Sequence, residues 1–288
     1  MTTIKKVKGT TAGRRQMNVS TFEEVTVGKP LKSLCSPQNR CSGRNNQGRI
    51  TIRHRGGGVR RHYRIIDFKC VDNKGVEGSV RSIEYDPNRN AYIILVCYKN
   101  GDRRYHLAPQ GIKVGDKILT AERAKLRIGN RLQVKNIPVG FNVFNVELVS
   151  GKGGQIVRSA GACAKLVSLE GAMVQIQLPS GEIRFIPKDA YATVGIVSNG
   201  DISNLKIGKA GRNRWKGQRP EVRGKAMNPV DHPHGGGEGC CPVGMPGPKT
   251  PWGAPALGVK TRKRKNRTDI YRIRDRRGRN LIKTTLVI

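Results

Sequence analysis

The 288-residue chain is short of acid. Against 55 lysines and arginines it carries 20 aspartates and glutamates, a formal net charge of +35. A folded surface that basic repels itself unless something neutralises it, and the phosphate backbone of a nucleic acid is the usual neutraliser. Aromatic residues are scarce too, at 5% within a hydrophobic total of 36%. That composition supports a modest core in part of the chain. No apolar run reaches the roughly 18 residues of a membrane span. The longest, AYIILVCY at 91–98, has strand length, so no membrane partner is expected. The seven cysteines are an odd number scattered from Cys35 to Cys241, which argues against a disulfide scaffold and for a reducing compartment. The opening residues, MTTIKKVKGTTAGRRQMN, lack an apolar stretch and are read as mature protein, not as a secretory signal.

What is abundant is cationic, and it is unevenly placed. Residues 1–66 carry 15 basic and 2 acidic side chains, residues 67–198 carry 19 and 12, and residues 199–288 carry 21 and 6. The pattern predicts a folded centre flanked by nucleic-acid-binding arms. Residues 1–60 show no sustained apolar period and predict a basic N-terminal extension. From about 199 onward the period fails again in a Gly/Pro-rich, cationic stretch, which predicts a C-terminal extension over 199–288 ordered by a partner.

The centre reads as β. RIIDFKCV (64–71), GSVRSIEYD (78–86), AYIILVCYKN (91–100) and DRRYHLA (102–108) are separated by turn signals. Asn100-Gly101 predicts a type I′ hairpin turn. Further strands are expected at 117–120, 141–149, 164–171, 172–178, 182–187 and 193–197, with PSG (179–181) as another turn. AERAKLRIG (121–129) reads as one helical turn or a linker. Many short strands predict a mainly β fold of two small barrels in tandem, 61–125 and 126–198. Cys70 and Cys97 fall in the expected strands as small core residues.

Three basic stretches carry the binding chemistry. Arg53, Arg55, Arg60, Arg61 and Arg64 flank Gly56-Gly57-Gly58. SGKGGQIVRSAG (150–161) holds Lys152 and Arg158, and GKAGRNRWKG (208–217) holds Lys209, Arg212 and Arg214. Glycine lets backbone come close to a phosphate, so N–H groups donate beside the guanidinium forks. GKGG lacks the G-x-x-x-x-G-K-[ST] spacing of a nucleotide-cradling loop.

DHPHGGGEG (231–239) raises the question of an active site, since Asp231, His232, His234 and Glu238 are residues that bind metals and move protons. As a zinc site it would enlist His232, His234, Cys240 and Cys241, but adjacent cysteines are not the usual C-x-x-C pair. As an acid–base site it shows no nucleophile or oxyanion arrangement nearby. The favoured reading is a loop threaded through a tight polar space, where glycines allow close approach and histidines hydrogen-bond or stack on nucleotides. A zinc enzyme and a DNA-binding architectural protein stay open as alternatives. No groove-reading helix is evident for the second.

GRNNQGRITIRHRGGG, EYDPNRNAYI, RRYHLAPQG, NIPVGFNVFNVE, GKGGQIVRSAG, RPEVRGKAMNPVDHPHGGGEG and KTPWG together resemble the universal ribosomal protein L-two family of the large subunit, bacterial type. The likeness runs from about 40 to 270 in the family's order. Asn90–Ile93 and PWGAPALG (251–258) are similar to plastid members, which implies a plastid stromal ribosome, with bacterial cytoplasm the other source. The resemblance implies an oligonucleotide-binding-type barrel followed by an SH3-like barrel, with extended basic ends that enter large-subunit rRNA. It implies a structural, non-enzymatic rRNA binder with no cofactor and no metal. Its implied partners are large-subunit rRNA, other ribosomal proteins and the small subunit across the inter-subunit face. The family's functional positions fall on Asp86, Arg89, Arg158 and His232, the last implicated in supporting peptidyl transfer. Arg223 and His234 lie in the same shared motif and join the expected rRNA contacts. The chain departs from the family at Val59, Cys70 and the Cys240–Cys241 pair.

Overall fold

A computed structural model describes residues 4–239, 241–263 and 266–281. The chain divides into two units. The first comprises residues 1–39, 60–209 and 268–288, and the second residues 40–59 and 210–267. The fold is mainly β with antiparallel sheets, consistent with an oligonucleotide-binding-type barrel followed by an SH3-like barrel. Among the described residues no helix is long and apolar enough to cross a membrane.

The first unit opens with two short pairs. Strand β1 (Ile4–Lys6) pairs with β2 (Asn18–Ser20), and β3 (Cys35–Pro37) with β4 (His62–Arg64). A four-stranded antiparallel sheet follows, built from β5 (Glu77–Glu84), β6 (Ile93–Tyr98), β7 (Arg103–Leu107) and β8 (Lys117–Leu119), in the order β7-β6-β5-β8. Strand β6, IILVCY, is apolar on both faces because it is central, and all but Cys97 are buried. Its neighbour β5 alternates instead, and a bulge between Val80 and Ser82 resets its register. Val80, Ile83, Tyr92, Ile94 and Val96 form the core of this sheet.

A seven-stranded sheet carries β9 (Arg131–Gln133), β10 (Asn142–Phe144), β11 (Ala164–Ser168), β12 (Met173–Gln177), β13 (Ile183–Pro187), β14 (Tyr191–Val194) and β15 (Arg272–Arg274). Their order is β15-β13-β12-β11-β10-β14-β9. Leu132, Val143, Leu166, Val174, Ile176 and Ile186 fill its interior with almost no exposure. A charged pair sits in the same unit: Arg131 meets Glu147 at 2.8 Å, with both side chains almost wholly buried. The other Glu147 oxygen accepts the backbone N–H groups of Gly151 and Tyr191, both at 3.1 Å. Burying charge is tolerated only where it is matched and hydrogen-bonded, and this carboxylate is both. Leu107, Phe144 and Val197 pack where the two sheets meet, and Thr120 bridges to Arg131.

Three expectations change here. RIIDFKCV is not a strand over 64–71. Pairing ends at Arg64, Ile66 makes one parallel bridge to Tyr105, and the chain then turns. The turn forms because the Asp67 carboxylate accepts the Lys69 and Cys70 amides at 2.9 and 2.8 Å, a local bond that competes with a ladder. Cys70 is therefore buried in a turn, not in a strand. The Asn100-Gly101 turn is not type I′, since only Gly101 has positive φ, +89°. Gly101 donates to the Tyr98 carbonyl and Tyr98 to that of Asp102. That is the three-residue hairpin with glycine at the left-handed position. Leu178–Glu182 repeats the pattern around Gly181. Residues 121–129 form no helix and act as a linker.

The second unit has little apolar interior, and His232 is its single buried side chain among the described residues. Its two chain segments are tied by backbone. Gly56 N–H donates to Gly217, Val59 to Trp215 and Arg219 to His54.

Candidate nucleic-acid interface

The first unit carries a polar cleft of about 790 Å³ whose walls come from separate places in the chain. Arg61 and Tyr63 come from β4 and the residue preceding it, Phe68 from the turn after it, Asn88 and Arg89 from the β5–β6 turn, and Arg158 from the segment after GKGG. Each is positioned by local chemistry. Asp86 is fully buried, and its carboxylate accepts Asn88 N–H at 2.9 Å and Arg89 Nε at 2.6 Å. The DPNR turn is thus closed by the aspartate and its arginine is aimed by it. Asn88 also donates to the His62 carbonyl at 2.8 Å, and Arg61 to that of Pro87 at 2.8 Å, which ties β4 to this turn.

Opposite Arg89, the GKGG segment is packed against protein. Gly154 N–H donates to the Phe68 carbonyl at 2.9 Å, and its α-carbon abuts Asn145 so tightly that a β-carbon would overlap that residue. Gly153, at φ +88°, presses on the Phe68 backbone. The Gly154 carbonyl accepts Arg158 at 3.1 Å. The result is a convergence: the guanidinium carbons of Arg158 and Arg89 lie 4.5 and 5.8 Å from the Phe68 ring centroid. Two like charges beside one ring repel, and the Asp86 carboxylate is bonded to Arg89. The flat apolar face steers the forks, and the uncompensated charge suits an anion.

Gly154→Ala follows as a test of that packing. Overlap with Asn145 forces the loop away and should cost about 1–3 kcal/mol by denaturant melting. Because Arg158 is held by the Gly154 carbonyl, RNA affinity should fall as well. Unchanged stability and affinity would refute this account of the loop.

The other expected residues divide. Arg60 is exposed in the first unit, whereas Arg64 is only 8% exposed and donates to the His62 carbonyl at 2.9 Å. Lys152 and Lys209 stand exposed. Arg53, Arg55, Arg212, Arg214 and Arg223 belong to the second unit, where Arg212 and Arg214 lie on a short helix, Ala210–Trp215. The close approach at Gly58 is to the backbone of Trp215 and Gly217. The Arg53 guanidinium lies 5.8 Å from the ring of Trp252, which is 81% exposed. An exposed indole beside a cation is a platform for stacking a base. Sequence reasoning missed Phe68. The available signal was an aromatic side chain set among basic ones.

The DHPH loop is organised around His232. Its ring packs directly on Gly224, and its Nδ1 accepts the His234 N–H at 3.0 Å. His234 Nε2 in turn accepts the Lys249 N–H at 2.9 Å. Both imidazoles are therefore engaged in holding backbone. Cys240, weighed above as a zinc ligand, lies outside the described residues.

Two family models match the chain in succession. That described as Ribosomal Proteins L2, RNA binding N-terminal domain matches residues 31–120, and that described as Ribosomal Proteins L2, C-terminal domain matches residues 127–253. The first match contains Arg61, Phe68 and Arg89, and the second contains Arg158 and the His232 loop, so every wall of the cleft named above falls within the two domains. The chain belongs to the ribosomal protein L2 family and is a structural, rRNA-binding constituent of the large ribosomal subunit.

Proposed function

We propose that the Phe68 cleft is the principal rRNA grip of this chain, with Arg89 and Arg158 as its two phosphate-binding forks. The convergence of two arginines 69 positions apart over one ring carries this reading. Asp86 supports this grip through Arg89, whose guanidinium its carboxylate holds. Arg61, Arg60 and Lys152 extend the cationic surface, as does Lys209, while Arg64 braces the β3–β4 pair. In the second unit Arg53, Arg55, Arg212, Arg214 and Arg223 neutralise phosphate, and His232 and His234 hold a loop that packs against RNA.

The domain plan proposed is a basic extension over 1–60, barrels at 61–125 and 126–198, and a Gly/Pro-rich extension over 199–288. The protein anchors rRNA, supports subunit association and shapes the peptidyl-transferase region without doing chemistry. Its partners are large-subunit rRNA, neighbouring ribosomal proteins and the small subunit. The likeness of Asn90–Ile93 and residues 251–258 to plastid members supports a plastid ribosome.

Sedimentation of a lysate through sucrose tests this reading. Co-migration with large subunits that survives a high-salt wash is the expected result, and protein left at the top of the gradient, or following DNA, overturns it. His232→Ala tests the loop. Loss of the one side chain buried among the second unit's described residues should loosen residues 224–239 by about 2–4 kcal/mol, read as faster proteolysis and poorer subunit assembly. Full assembly with peptide-bond formation abolished, and a parental rate tracking a histidine titration, would make His232 catalytic instead.

A further inference from the structure

On the turn that also carries Phe68, three chemically different side chains meet. The ligating atoms of Asp67, Cys70 and His106 all lie within 4.8 Å of one another, and no other such trio occurs among the described residues. Asp67 and Cys70 come from the turn after β4, and His106 from β7. The turn is rigid: two backbone amides bond one Asp67 oxygen, and Cys70 holds φ +52°. That conformation is uncommon for a residue with a β-carbon. It sets the thiol 3.6 Å from His106 Nδ1. The other ring nitrogen, Nε2, lies 2.8 Å from the Tyr98 hydroxyl.

We propose that Asp67, Cys70 and His106 form a binding site for one zinc ion, with water in the fourth position.

Four features of the trio favour zinc. A thiolate, an imidazole and a carboxylate are its donor types, whereas magnesium and calcium ask for oxygen throughout. A tetrahedral ion with Zn–S near 2.3 Å and Zn–N near 2.0–2.1 Å has an S···N edge of about 3.6 Å. The Cys70–His106 separation matches that edge. Charge balances as well. The thiol proton leaves to solvent on binding, and thiolate plus carboxylate neutralise the divalent ion, so the buried complex carries no net charge. The Tyr98 hydroxyl supplies the outer hydrogen bond that fixes the tautomer of a metal-bound histidine. The nearby Arg131 charge is met by Glu147.

In the metal-free chain the same 3.6 Å contact is a thiol–imidazole hydrogen bond, so the test must read the metal directly. The full-length protein is stripped with a chelator, reloaded with zinc, dialysed and analysed for metal. Cobalt(II) is then used as a probe, because thiolate ligation gives a near-ultraviolet charge-transfer band. About one zinc per chain is expected, with a cobalt–thiolate band. Cys70→Ser and His106→Gln should lose both, while Cys241→Ser keeps them. Tyr98→Phe should weaken affinity roughly 10- to 100-fold. Should His106→Gln fail to fold, the cobalt spectrum of the parent and the closely isosteric Cys70→Ser still decide. Substoichiometric zinc in the reloaded parent, or zinc retained by Cys70→Ser, would overturn the site.

Discussion

Arg89→Gln combined with Arg158→Gln is expected to lower affinity for the cognate rRNA segment by about 100-fold or more at moderate salt. A hydrogen bond to a charged group contributes about 1.5–3 kcal/mol, and each replacement removes one such donor fork from the anion. The two changes should also flatten the dependence on salt. Each lost phosphate contact reduces the slope of log K against log salt by about 0.7–0.9. Arg158 is exposed, but Arg89→Gln also unpairs the fully buried Asp86 carboxylate, so the double variant is compared with Arg158→Gln alone after both have been shown by melting to be folded at the assay temperature. The control is Lys113→Gln, which lies outside the cleft and should change affinity by less than about threefold. Filter binding or fluorescence titration across 50–200 mM salt makes the measurement. If affinity falls while the slope stays put, the arginines shape the cleft and do not meet phosphate. If neither changes, the cleft is not the grip.

Glu147→Gln is the second large effect, and it acts on stability first. The carboxylate neutralises Arg131 and accepts two backbone N–H groups, and among the described residues no other acid is bonded to that guanidinium. Removing one member of a buried pair leaves the other charge uncompensated and typically costs 3–5 kcal/mol. In a unit of this size about 1 kcal/mol moves Tm by roughly 2–4 °C, so a fall of about 6–20 °C is expected. RNA affinity should drop with it. Gly151 is tied to Glu147 and opens the segment that positions Arg158, so the damage travels from core to cleft. Replacing both partners with apolar residues, Arg131→Met with Glu147→Leu, should recover most of the stability, since desolvation of both charges is then avoided. A loss under about 1 kcal/mol for Glu147→Gln would show that the pair is solvated in solution and that the core relies on apolar packing alone.

Both predictions turn on contacts that no local pattern announces. The hydrophobic alternation of GSVRSIE and the run IILVCY are read within a few residues, and they became β5 and β6 as expected. The glycine turns at 101 and 181 were also legible, although the first has a different geometry because Asn100 keeps negative φ and spends its side chain on Asp102 and Asn73. RIIDFKCV misled for the opposite reason. Its apolar content matches a strand, but one aspartate oxygen bonding two amides bends the chain before the ladder can extend.

Charge and alternation are additive, short-range properties. From residue order alone they establish a strongly basic, mainly β chain with cationic ends, suited to a polyanion, and the ordered motifs place it in its family. Which cation meets which partner is another matter, because it depends on contacts closed over tens of residues. Arg64 reads like its neighbours and is buried, while Arg89 and Arg158 are brought together over Phe68. Gly58 and Gly154 read as phosphate cradles, yet their close approaches are to the protein's own backbone and to Asn145. Asp67 and Cys70 lie up to 39 positions from His106, and the three meet only when β7 pairs beside the turn after β4. Such encounters are decided by strand register and the packing it forces.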